Sequence, residues 1–164
     1  MDMRIRIQRR RVQRSSGRPS PGFTFIELMI VVLIIGILVA IAMPYYGSWR
    51  NRVNTVQAAS DIIGNEAIVE LYVSMNRTLP TSWADIPRAR AVDPWGRPYV
   101  YYNIQANGKG GARKDHALNP LNTDYDMYSV GPDGVSKAQI TQKDSLDDVI
   151  RASNGAYVGI STGF

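Results

Sequence analysis

The chain has 164 residues, a formal charge of +5 and no cysteine, which excludes disulfides, thiolate metal sites and Cys nucleophiles. A small core without disulfides must be held by other means, such as a metal or assembly with further subunits. The positive charge is confined to residues 1–22, where seven arginines oppose the single acid Asp2 to give +6, and the −1 left for the remainder excludes a nucleic-acid-binding surface. Those arginines, Arg4, Arg6, Arg9, Arg10, Arg11, Arg14 and Arg18, make a basic leader ahead of an apolar run, which is a membrane-targeting pattern.

The run Phe23–Met43 follows Gly22 and holds 21 residues. As a helix it is roughly 31 Å long, the thickness of a bilayer core of about 30 Å. It exceeds a secretory h-region of about 7–15 residues, and Ala40 and Ala42 are followed by Met43, Pro44 and Tyr45, a poor site for ordinary signal cleavage. A cut before the run, after Gly22, fits better. Arg9–Arg11 lie too far ahead of the run for a twin-arginine signal. The arginines place the N-terminal side in the cytoplasm and the C-terminal domain beyond the membrane.

Glu27 is the single acid of the run. A carboxylate in such surroundings costs on the order of 3 kcal/mol. Either it snorkels to the interface, or it has a partner. Cleavage after Gly22 would create an α-amino group on Phe23, and that cation in a neighbouring copy could pair with Glu27.

From Pro44 to about Met75 the apolar residues Trp49, Val53, Val56, Ala59, Ile63, Ala67, Leu71 and Met75 recur every three or four positions, which predicts an amphipathic helix with that stripe facing the core. Pro44 removes one backbone hydrogen bond and should bend the helix as it leaves the bilayer. Residues 76–98 read as a long loop pinned by Leu79, Trp83, Ile86 and Trp95. Strands are predicted over 99–104, 126–130 and 157–160. Asn107–Gly111 turns the chain, and Lys109, Arg113 and Lys114 read as a solvated basic stretch. Ser145-Leu146-Asp147-Asp148 has the form of a helix start. The fold class is therefore α+β: a long N-terminal helix, half membrane and half amphipathic, packed on a small antiparallel C-terminal sheet with long loops. The domains are a leader to be cleaved, 1–22, a transmembrane helix, 23–43, and an extracytoplasmic domain, 44–164.

No catalytic constellation is present. His116, the only histidine, has no coupled nucleophile, and Gly108–Gly111 lacks the length and the Ser or Thr of a phosphate-binding loop. The acids Asp133, Asp144, Asp147 and Asp148 fall in the C-terminal loops. Hard oxygen ligands from two loop segments suit Ca²⁺, although the spacing is not that of an EF-hand. The plainer reading gives Asp133 a turn role and Asp147–Asp148 a helix-start role.

Gly22-Phe23-Thr24-Phe25-Ile26-Glu27-Leu28, with the apolar run up to Pro44, resembles the cleavage and methylation motif of type IV prepilins. Asp93-Pro94-Trp95-Gly96-Arg97-Pro98-Tyr99 and Ser129-Val130-Gly131-Pro132-Asp133-Gly134 resemble two blocks of the major pseudopilin, the G-type subunit of type II secretion systems, and the missing cysteines agree. The resemblance implies cleavage between Gly22 and Phe23 by a prepilin peptidase and N-methylation of Phe23. It also implies a role for Glu27 in assembly and a helix kink at Pro44. The chain would then be a non-enzymatic subunit of a periplasmic filament, self-assembled with other pseudopilins on an inner-membrane secretion platform. The alternative is a type IV pilus subunit for adhesion, motility or DNA uptake. A membrane-tethered binding domain or enzyme that never polymerises would leave the Gly22–Glu27 arrangement unexplained. The resemblance further implies one calcium ion held by Asp133, the carbonyl of Val130, and Asp147 or Asp148. The segment 136–144 departs from the family pattern as an insertion, which leaves the later ligand ambiguous.

Overall fold

Helix α1 spans Phe25–Asn76, and four strands follow: β1 Val100–Asn103, β2 Tyr125–Ser129, β3 Val149–Ala152 and β4 Tyr157–Ile160. The strands form one antiparallel sheet in the order β1-β2-β3-β4, and a single-turn helix α2, Ile104–Asn107, lies between β1 and β2. This computed structural model describes residues 22–86 and 89–164, so the basic leader apart from Gly22 lies outside the described residues. The chain divides into two compact units, Met1–Ile41 and Ala42–Phe164. The α+β class read from the sequence is the observed one.

α1 is assigned without a break across Pro44, whose missing N–H leaves the Ala40 carbonyl without its helical donor. The helix ends where Arg77 turns left-handed at φ 61° and gives its N–H to the Val73 carbonyl at 2.8 Å. Thr78 to Pro80 then leads the chain away, and Pro80 is buried.

The stripe that faces the core differs from the expected one. Ala58, Ile62 and Val69 are buried against Ile86, Tyr99, Tyr125, Met127 and Val149. Trp49, Val53, Val56, Ile63, Leu71 and Met75 are exposed. The register is decided by two polar residues on the inner face, Asp61 and Asn65, which a purely apolar pattern assigns to solvent. Asp61 accepts from the Tyr99 hydroxyl at 3.0 Å and from Arg90 Nη1 at 2.9 Å. Asn65 accepts from the Arg90 N–H at 2.7 Å and donates to the Arg90 carbonyl at 2.9 Å. Every one of these buried groups is matched, so the inward turn costs little.

The loop 76–98 is pinned as expected, with Ile86 in the core and Leu79, Trp83 and Trp95 packed against it. Tyr101 and Asn103 of β1 both donate to the Pro80 carbonyl at 2.9 Å, fixing the loop's start to the sheet edge.

Both faces of the sheet are covered. Tyr125 and Met127 of β2 and Val149 of β3 meet α1, while Ile150 and Ala152 of β3 meet Leu121 and Ile140 from the loops on the other side. That is why β3, Val149-Ile150-Arg151-Ala152, escapes a search for alternation: all four of its residues are buried. Ser145–Asp148 does not begin a helix. A 3-10 turn over Lys143–Ser145 ends there and leads into β3.

Among the described residues two arginines are buried, one on each face of the sheet. Arg151 lies on the α1 side, 4.0 Å over the Tyr125 ring, and bonds Glu66 of α1 at 2.8 Å and Asp124 at 2.8 Å. Arg113, expected in a solvated stretch, lies on the loop side, 4.4 Å over the Tyr128 ring. Lys109 and His116 are exposed, as a polar loop requires.

Candidate functional site

Among the described residues nothing covers the N-terminal motif. Gly22 and Phe23 precede α1, Phe23 is 82% exposed, and nothing lies within 4 Å of a Cβ placed on Gly22. The side chains from Phe25 to Met43 are exposed throughout, so this run has no packing partner among the described residues. Among the described residues α1 is the one helix long and apolar enough to cross a membrane.

Glu27 has local partners. Both the N–H and the hydroxyl of Thr24 donate to Glu27 Oε2 at 2.7 Å, and the Glu27 N–H donates to Thr24 Oγ1 at 3.3 Å. This is a reciprocal capping box that satisfies donors at the start of α1 and sets the carboxylate where the helix dipole favours negative charge. The sequence carries this signal as Thr24-Phe25-Ile26-Glu27, a capping-box spacing. Three exposed aromatic residues, Tyr45, Tyr46 and Trp49, follow the apolar run, with the Tyr46 and Trp49 rings 6.2 Å apart. Amphipathic rings of this kind favour a membrane–water boundary.

The two sequence blocks of the C-terminal domain are one structure. Asp93 accepts from the N–H groups of Trp95 at 3.0 Å and Arg97 at 2.8 Å, and from the Ser129 hydroxyl at 2.5 Å. Arg97 donates through its guanidinium to the carbonyls of Gly131 and Pro132, the latter at 2.9 Å. Tyr99 closes the block onto Asp61 of α1. Gly131 is required twice over: its φ is 65°, and a Cβ there would meet the Asp147 carbonyl oxygen at 2.5 Å.

Asp133 Oδ1 accepts from the Val135 N–H at 2.8 Å, a turn contact, and the Asp133 N–H donates to Asp147 Oδ2 at 3.3 Å. Val130 directly follows β2, two residues ahead of Pro132. Asp148 lies away from them in purpose: its Oδ2 accepts from Arg113 Nη2 at 2.6 Å and from Ser136 Oγ at 2.7 Å. Burial pushes the Asp148 carboxyl up to about 6 against the pull of Arg113. Among the described residues no three acidic or histidine side chains converge to hold a metal ion. Calcium takes 6–8 oxygen ligands, and a guanidinium already sits on the most buried carboxylate of the group. Asp148 is therefore a poor calcium ligand, and the adjoining carboxylates of Asp133 and Asp147 are too few by themselves to complete a calcium shell. Arg113 was missed because its neighbours in sequence, Lys109 and Lys114, suggested a charged loop; nothing local marks it as buried.

Comparison with known proteins follows the same two parts of the chain. Residues 18–43 match the family described as the prokaryotic N-terminal methylation motif. The chain is 30% identical to the type II secretion system core protein G of Pseudomonas aeruginosa over 138 residues, which is 71% of this chain and 87% of that protein. It is 29% identical to the protein of the same name from Escherichia coli, over 69% of this chain and 82% of the relative. With the Dickeya chrysanthemi protein it shares 25% identity over 85% of this chain and 92% of the relative. No solved structure matches it. With the motif near its start and a 30% identical relative covering 71% of its length, the chain belongs to the type II secretion system core protein G family.

Proposed function

We propose that this chain is the filament subunit of a type II secretion pseudopilus, matured by cleavage between Gly22 and Phe23 and by N-methylation of Phe23. The observation that carries the reading is the pairing of the exposed Gly22–Glu27 motif with an uninterrupted, wholly exposed apolar helix ahead of a folded domain. An apolar surface of that extent needs lipid first and other subunits afterwards. The exposed stripe Val53, Val56, Ile63, Leu71 and Met75 prolongs it along α1 and supports assembly through the helix.

In this reading residues 1–22 are the cytoplasmic leader, 23–43 the membrane and filament-core helix, and 44–164 the periplasmic domain. Pro44 is the bend between helix halves. Glu27 pairs with the new amine of Phe23 in a neighbouring subunit and fixes the register of stacking. The partners are further copies, other pseudopilins, the inner-membrane platform, and the peptidase and methyltransferase. The chain is a substrate of enzymes and not itself one. The type IV pilus alternative lacks a specific observation in its favour.

Deletion of the gene and complementation would test this. The expected outcome is loss of exoprotein secretion, restored by the wild-type chain, with mature subunits that begin at N-methylated Phe23 by mass spectrometry. Intact secretion with loss of surface pili would replace this reading by the pilus one.

A further inference from the structure

Arg113 joins groups from three separate segments. Its main-chain N–H donates to Asp126 Oδ2 at 2.6 Å on β2. Its guanidinium reaches Asp148 Oδ2 at 2.6 Å, the Lys137 carbonyl at 2.9 Å and the Ser136 hydroxyl. The Ser136 hydroxyl in turn donates to the same oxygen of Asp148 at 2.7 Å. A carboxylate, a hydroxyl and a carbonyl from two loop segments are the kinds of oxygen that bind a hard cation. Here a side-chain cation fills that set. The Arg113 side chain is 3% exposed and that of Asp148 0% exposed. The Tyr128 ring closes one face of the guanidinium.

We propose that Arg113 is the resident cation of the C-terminal loops, fixing the segment 136–148 to the sheet in place of a bound metal ion. The geometry favours this over a divalent ion on Asp148. An ion there would lie beside a fixed positive charge, with Ser136 and Lys137 already committed as acceptors. The segment's own bonds support the same end: Ser145 Oγ accepts from the Lys137 N–H at 2.8 Å and donates to the Lys137 carbonyl at 3.1 Å, closing the loop behind the arginine. The inference concerns the chemistry of the domain alone, and its readout does not depend on filament function or secretion.

The test is thermal unfolding of the full chain in detergent, in excess EGTA and in millimolar calcium, with calorimetric titration of calcium into the folded protein. The expected result is one midpoint in both conditions and no saturable calcium binding. A midpoint raised by calcium, or stoichiometric binding, would overturn the proposal. Arg113→Met should lower the midpoint by on the order of 10 °C in either condition. A midpoint unchanged in Arg113→Met would also overturn it. Should that variant not fold, Arg113→Lys, which keeps the charge without the fork, should show a smaller loss, and the wild-type calcium titration stands independently of both.

Discussion

Thr24 and Glu27 close a reciprocal pair at the start of α1, with two donors of Thr24 on one oxygen of Glu27 at 2.7 Å each. The carboxylate that looks isolated in the sequence is thus held locally before any other subunit arrives. Its other oxygen, Oε1, takes part in none of these bonds. A single side chain can therefore cap its own helix and still present negative charge to a cation near Phe23.

Capping and charge can be separated by substitution. Glutamine serves the third position of a capping box as glutamate does, but it carries no charge. Glu27→Gln should keep the helix start, measured by amide exchange at residues 24–28 in micelles, and should be cleaved normally. It should nevertheless fail to support filament assembly and secretion. Glu27→Val should fail in the same assays and also fray the first turn. If Glu27→Gln assembles as well as the wild type, capping is the whole role of this residue.

Gly22→Ala should leave full-length precursor in the membrane. Among the described residues no atom lies within 4 Å of the added methyl group, so the substitution does not disturb the folded domain. A block would therefore report recognition by the peptidase. Immunoblotting for the leader-bearing form measures it, and efficient processing of the variant would reject the cleavage position.

The membrane run and three of the four strands were legible because their signals are local: 21 apolar residues, and Tyr- and Val-rich segments bounded by Gly and Pro. What could not be read depends on pairings distant along the chain. Arg151 looks out of place in a strand until Glu66, 85 positions earlier, and Asp124 are seen against it. Asp61 and Asn65 look like solvent positions until Tyr99 and the backbone of Arg90 meet them. These buried polar matches rotated α1 and hid β3. The two blocks 93–99 and 129–134 were each recognisable, but only the fold shows that Asp93 and Arg97 bind one to the other.

The rotation of α1 has a direct test in adjacent residues of one type. Ile62 is fully buried and Ile63 is 55% exposed. Ile62→Ala should destabilise the domain by about 2–5 kcal/mol, through lost burial and a cavity against the sheet. Ile63→Ala should change stability by about 0.5 kcal/mol or less. Urea unfolding of the full chain in detergent measures both, and the reverse order would restore the stripe read from periodicity. Because Ile63 lies on the exposed stripe, its variant is the better one for assembly defects without loss of fold.

The buried tyrosines predict how the domain responds to alkali. Burial pushes the phenols of Tyr99, Tyr101 and Tyr125 well above their usual range; the charge of Asp61 adds to the effect at Tyr99, and that of Asp124 at Tyr101. For Tyr125 the nearby Arg151 works in the opposite direction without cancelling burial. A group whose folded pKa is raised contributes stability that is fully present below its unfolded value, about 10 for tyrosine, and is lost as pH rises beyond it. The domain should therefore hold its stability up to about pH 10 and lose it steeply above. Phenolate absorbance should rise in two stages, the second coinciding with loss of the near-ultraviolet dichroism of the packed rings. Tyr99→Phe should remove one phenolate from the second stage and also destabilise the domain at neutral pH, because the Asp61 carboxylate loses a buried donor. Ionisation of every tyrosine in one stage with the fold intact would contradict the packing of these three rings between α1 and the sheet.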